Sequence, residues 1–363
     1  MNIAVAYQNA EFKAENYFSA DMKFDCVADL FGTCPKTLNG RRVVSLTEFL
    51  RLVAEKKIDG ILIAEDFRKP LSWQMVTLCQ RNRVNRIGII DSRKKIFWLR
   101  RGKSFMPHLE THVTDTCNLN CKGCSHFANL FTEPNVYDLR QFQKDLERIA
   151  ECFDVIRFRL MGGEPFLVEN IGDFVKIARA CLPNTDIRIV TNGLLIPSLP
   201  EKTFECLRDN DIIVTVSVYP PVSAHFENIA NTLKTFGVKY KALPVREFFA
   251  YMVPSGGSDP ASVHDYCMNY PCRVLRAGKL YKCPVEAMIF KFQECFPNLY
   301  PTHLLERGID IYSANVTESF YHLRECIELC RYCFFPARKF AWTHNSKPKA
   351  EDWFYENVHS AGR

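Results

Sequence analysis

No apolar run in the 363-residue chain reaches the roughly 18 residues that a membrane-spanning helix needs, which excludes such a span. The opening Met1-Asn-Ile-Ala-Val-Ala-Tyr7 lacks both the basic stretch and the long apolar stretch of an export signal. It reads as a buried strand, and the chain is expected to be cytoplasmic. No basic block and no basic–aromatic stripe occurs. The net charge of +6 therefore permits an anionic substrate without pointing to nucleic acid. The turn Tyr7-Gln-Asn-Ala-Glu-Phe12 has no glycine. A dinucleotide-binding turn needs glycines for the backbone to approach a pyrophosphate, so nicotinamide binding is not expected.

Sixteen cysteines are present. A secreted disulfide framework is not expected for a chain of this size without an export signal, and metal-ligand clusters account for the cysteines better. Cys26, Cys79, Cys152, Cys181 and Cys206 lie singly among apolar residues and read as core thiols. The apolar fraction of 47% supports full cores, and the length predicts two or three domains.

The chemistry concentrates at Cys117-Asn-Leu-Asn-Cys121-Lys-Gly-Cys124, a C-x3-C-x2-C spacing just after the alternating run 108–114. Alternation predicts a strand, so the three thiols leave a strand end in a tight loop. Thiolates so spaced suit zinc or an iron–sulfur cluster, and three ligands leave one iron of a four-iron cube open. Met161-Gly162-Gly163-Glu164-Pro165 follows, then the strand Ile187–Val190 ending in Thr191-Asn192-Gly193. The strand Ile212–Val218 carries Ser217.

In this order the motifs resemble the radical SAM superfamily over roughly residues 108–245. The alternative is a structural zinc site with unrelated glycine turns. The resemblance implies a [4Fe–4S] cluster on Cys117, Cys121 and Cys124 whose open iron binds S-adenosylmethionine. It further implies cofactor contacts at Gly162, Gly163, Glu164, Asn192 and Ser217, with His126 and Tyr219 as further candidates beside packing roles. The fold so implied is α/β, a partial (β/α)6 barrel whose strand C-termini carry the site.

Residues 1–105 alternate strands and helices and resemble the small Rossmann-like domains of sugar-nucleotide enzymes. A capping box at Ser45–Glu48 opens one helix. Residues 106–250 hold the barrel, with predicted helices at 138–152, 171–180, 201–210 and 226–236. Residues 251–363 form a cysteine-rich extension similar to the Twitch and SPASM extensions. That similarity implies one auxiliary [4Fe–4S] cluster, with Cys272, Cys283, Cys330 and Cys333 as ligands and Cys326 and Cys267 as spares. A zinc knuckle is the alternative. Glu286, His264 and Asp265 flank these cysteines as candidate bases, and residues 342–363 read as a closing cap or a frayed end.

The resemblance implies an enzyme that makes a 5′-deoxyadenosyl radical and takes hydrogen from a sugar or sugar-nucleotide substrate, with flavodoxin or ferredoxin as reductant. Oxidation is the expected outcome. Epimerisation, a peptide substrate, and an electron-transfer or sensor role are the alternatives.

Overall fold

The computed structural model describes residues 1–6, 22–32, 37–38, 41–269, 272–304 and 308–355. The turn at residues 7–12 lies outside them. Two compact units form, Met1–Pro107 with Cys152–Arg157, and His108–Glu151 with Phe158–Arg363.

The first unit holds β1 (Asn2–Ala6), β2 (Lys23–Asp29), β3 (Thr37–Leu38), β4 (Arg41–Ser45), α1 (Leu46–Ala54), β5 (Gly60–Ile63), α2 (Pro70–Arg81), β6 (Ile87–Ile90) and β7 (Ile96–Trp98). Its sheet runs β3-β4-β2-β1-β5-β6-β7. The five strands from β4 to β6 are parallel, and β3 and β7 add antiparallel edges. Counting the parallel strands alone, this is the order 3-2-1-4-5 of a doubly wound sheet. Central β1 and β5 are continuous apolar runs because both of their faces are covered. Ser45 Oγ accepts from the Glu48 amide and starts α1 as the capping box predicts.

The chain then runs through β8 (Ser104–Thr114), α3 (Leu139–Cys152), β9 (Phe153–Gly162), α4 (Ile171–Cys181) and β10 (Asp186–Thr191), with Ser104–Pro107 and Cys152–Arg157 counted in the first unit and the rest in the second. It continues with α5 (Glu201–Asp209), β11 (Ile213–Val218), α6 (Pro220–Ser223), α7 (Phe226–Thr235) and β12 (Tyr240–Pro244). The helices α3, α4, α5 and α7 match those predicted from periodicity. In α3, Phe142, Leu146 and Ile149 form the buried stripe. The remainder comprises β13 (Glu247–Met252), α8 (Pro260–Asp265), β14 (Arg273–Arg276), β15 (Lys279–Tyr281), α9 (Pro284–Cys295), β16 (Ile309–Asp310), α10 (Val316–His322) and β17 (Cys333–Ala341).

The main sheet runs β12-β11-β10-β9-β8-β14-β15-β16 and does not close into a barrel among the described residues. β10, β11 and β12 are mutually parallel, and β14 is parallel to β8. β14 lies in the stretch expected to form the extension, yet it is the neighbour of β8 in the barrel sheet. β13 and β17 form a separate antiparallel pair. No helix of the described residues is long and apolar enough to cross a membrane.

Candidate active site

The ends of β8, β9, β10 and β11 surround a cavity of about 120 Å³. Cys117, Cys121, Cys124, His126, Gly162, Gly163, Asn192, Ser217 and Tyr219 all line it. Parallel strands carry their chain-distant C-termini to one edge, which is why motifs 100 residues apart in the sequence meet here.

Each of the three sulfurs faces N–H donors. The Leu119 amide donates to Cys117 Sγ at 3.4 Å, and Trp342 Nε1 donates to Cys121 Sγ at 3.1 Å. The amides of Ala128 and His126 face the Cys124 sulfur, while the Phe127 amide, with Phe127 in the left-handed region at φ 52°, donates to the Cys124 carbonyl at 2.9 Å. Burial pushes the Cys117 and Cys121 thiols up to about 12, and raises Cys124 as well. Three thiols, Cys121 buried and Cys117 and Cys124 half-buried, that resist ionisation yet face donors suited to thiolates fit a cationic iron cluster that would supply the missing positive charge.

The paired glycines have a packing reason of their own. A Cβ on Gly162 would sit 1.9 Å from the Thr114 carbonyl oxygen, and one on Gly163 would sit 1.9 Å from that of Thr116. The Gly163 and Glu164 amides donate to these same carbonyls, stitching β9 to the end of β8. Gly162→Ala is expected to cost about 3 kcal/mol or more, from backbone overlap plus strain at its positive φ, read as a lowered urea midpoint.

Glu164 does not line the cavity. Its carboxylate is buried and accepts from Thr191 Oγ1 at 2.7 Å, the Asn192 amide at 2.8 Å and the Phe166 amide at 3.1 Å. Burial raises it to about 7 despite these bonds. It joins the ends of β9 and β10, and so positions Asn192, whose Nδ2 donates to Asn118 Oδ1 at 2.7 Å.

His126 sits at the end of a polar chain. Arg276 clasps Asp115 with two bonds of 2.8 Å, Asp115 Oδ1 lies 2.8 Å from His112 Nδ1, and His112 Nε2 lies 2.8 Å from His126 Nδ1. Burial works against the Asp115 carboxylate, but the His112 and Arg276 bonds prevail and hold it well below the usual range. Burial, with His112 and Arg159 nearby, pushes His126 well below the usual imidazole value. When both imidazoles are neutral, His112 Nδ1–H donates to Asp115 and His126 Nδ1–H donates to His112 Nε2. His126 Nε2 is then an acceptor at the cavity.

Tyr219 forms an aromatic wall with Phe248 and Trp342, at centroid distances of 5.8 and 6.2 Å. Asp115, His112, Arg276, Phe248 and Trp342 were not read from the sequence. The tail is a closing cap as far as it is described. Trp353 Nε1 donates to the Cys124 carbonyl at 2.8 Å, and the Asn345 amide to that of Asn120 at 2.7 Å. Residues 356–363 lie outside the described residues.

A second, smaller cavity of about 30 Å³ is lined by Cys267, Cys283, Cys330 and Cys333. Cys267 follows α8, Cys283 is the N-cap of α9, Cys330 sits in the turn Glu328–Tyr332, and Cys333 opens β17. Burial raises all four thiols, and repulsion from neighbouring thiols adds to it, from Cys326 in the case of Cys330. Cys272 does not line this cavity. Its sulfur lies within 4.8 Å of a Glu110 carboxylate oxygen instead, and Cys267 stands where the sequence reading placed Cys272. Cys326 is exposed. Glu286 accepts from the Lys282 amide at 2.6 Å, and His264 Nε2 lies 2.8 Å from the Arg324 carbonyl; neither lines a cavity described here. The Asp265 side chain lies outside the described residues.

Residues 111–231 match the Radical SAM superfamily. The GTP 3′,8-cyclase of Heliobacterium modesticaldum is 35% identical over 92 residues, 25% of this chain and 28% of that protein. The GTP 3′,8-cyclase of Sulfurovum sp. is 29% identical over 177 residues, 45% of this chain and 52% of that protein. The chain thus spans about a quarter and about half of these two relatives. Among solved structures, BtrN in complex with AdoMet and 2-DOIA is similar at 19% identity, covering 64% of this chain and 94% of that one, with a TM-score of 0.41. Native anSMEcpe with bound AdoMet is similar at 19% identity, covering 39% and 45%, with a TM-score of 0.32.

Proposed function

Residues 111–231 form a radical SAM domain, and from that premise we propose that the chain oxidises a sugar or nucleotide-linked sugar by hydrogen abstraction. Cys117, Cys121 and Cys124 would hold a [4Fe–4S] cluster, which, once reduced, would supply the electron for splitting S-adenosylmethionine into methionine and a 5′-deoxyadenosyl radical. The single observation that carries this reading is the convergence of those three thiols, Gly162, Gly163, Ser217 and Tyr219 on one cavity.

In this reading the chain's own groups bind and shield. Gly162 and Gly163 expose backbone to the amino-acid end of the cofactor, and Asn192 and Ser217 offer polar contacts. Tyr219, Phe248 and Trp342 give an apolar wall for the adenine and keep water from the radical. His126 presents an acceptor nitrogen held by His112, Asp115 and Arg276.

Cys267, Cys283, Cys330 and Cys333 would hold an auxiliary cluster with every iron ligated, suited to taking an electron from the substrate rather than to binding it. Twitch-type architecture and the oxidative outcome rest on this second set. The sugar class is supported by the doubly wound sheet of the first unit and by the strand end Val218-Tyr219-Pro220.

The test is anaerobic reconstitution, then incubation of candidate sugars and nucleotide sugars with S-adenosylmethionine and dithionite or flavodoxin. The expected result is 5′-deoxyadenosine together with a product two mass units lighter. A product of unchanged mass that gains one deuterium in heavy water would overturn oxidation in favour of epimerisation.

A further inference from the structure

β8 is an interior strand, and the side chains at 108, 110 and 112 share one of its faces because strand side chains alternate. His112 reaches His126 at the cavity. His108 and Glu110 therefore lie deeper on that face, with Glu110 about 7 Å below His112. β14 pairs with β8, and the residue just before β14 is Cys272. The pairing brings its thiol to Glu110. One imidazole nitrogen of His108, one carboxylate oxygen of Glu110 and the Cys272 sulfur all lie within 4.8 Å of one another. His108 and Glu110 are each 1% exposed.

We propose that His108, Glu110 and Cys272 bind one zinc ion, separate from both sets of cluster cysteines. Nitrogen, oxygen and sulfur donors together suit zinc among the common divalent metals. His108 Nε2 and Glu110 Oε2 are 3.4 Å apart, close to the ~3.3 Å edge of a tetrahedron with bonds of about 2.0–2.1 Å. Glu110 Oε1 is buried and has no hydrogen-bond partner among the described residues. A thiolate and a carboxylate neutralise Zn²⁺, so the buried site carries no net charge of its own. Arg159 Nη1, 3.8 Å from Glu110 Oε2, braces the carboxylate from outside, as groups behind metal ligands do. Three protein ligands leave a fourth position for water or a substrate oxygen, the pattern of catalytic rather than structural zinc. This inference does not depend on the proposed reaction.

The test measures metal and needs no turnover. Full-length protein is made in zinc-supplemented medium, reconstituted anaerobically with iron and sulfide, and freed of loose metal with EDTA. About one zinc per chain is expected to remain in the wild type. Cys272→Ser and His108→Ala are each expected to lose it while keeping wild-type iron. A wild type without zinc, or a Cys272→Ser protein that loses iron, overturns the proposal. Should the variants be insoluble, zinc-edge absorption of the wild type decides. One sulfur near 2.3 Å with nitrogen and oxygen near 2.0 Å supports the site. A sulfur-only shell, which marks zinc in an iron site, overturns it.

Discussion

Changing Cys117, Cys121 and Cys124 together to Ala is expected to halve the iron, from about eight to about four per chain, and to abolish S-adenosylmethionine cleavage. Among the described residues the three thiols are the only cysteines that line the larger cavity, so none of those replaces them. The fold is expected to survive. The sheet behind the loop is carried by fully buried apolar residues such as Val155, Phe158, Ile189 and Val214, none of which touches iron in this account. Iron analysis and 5′-deoxyadenosine formation read the result. Full iron in the triple variant would contradict the assignment.

The second large effect separates two neighbours in sequence. Cys267→Ala is expected to lose about half the iron, keep dithionite-driven S-adenosylmethionine cleavage, and yield little oxidised product. Cys272→Ala is expected to keep all of its iron. The geometry behind this is plain. Cys267 shares a cavity with Cys283, Cys330 and Cys333, whereas Cys272 faces Glu110. The reverse pattern, iron lost with Cys272 and kept with Cys267, would reinstate the ligand set expected from the sequence.

That swap shows where sequence reading stops. Spacing was enough to bring Cys117, Cys121 and Cys124 to one cavity because the three thiols belong to one loop, and local spacing then equals local geometry. The second set comes from four places in the chain. Cys272 looked like the partner of Cys283 because the two flank a hairpin. What spacing does not carry is the pairing of β14 with β8, which takes Cys272 to the barrel face. The doubly wound first unit and the helices of the second were legible as apolar period and caps. β13 and β17 were not, because they pair across some 80 residues and alternate only weakly between buried and exposed. Trp342 and Trp353 were equally hidden, since their N–H groups reach the cluster loop from over 200 residues away. Glu164 was read from its motif as a cofactor contact. The structure shows its carboxylate spent on three donors from neighbouring turns, a role that only the folded strand ends reveal.

The measurement closest to the central claim follows hydrogen rather than iron. Once a sugar substrate is found by its mass change, the same sugar is supplied fully deuterated at carbon. The account predicts that deuterium moves from the substrate into 5′-deoxyadenosine in the same turnover that makes the oxidised product. Unlabelled 5′-deoxyadenosine alongside that product would contradict it.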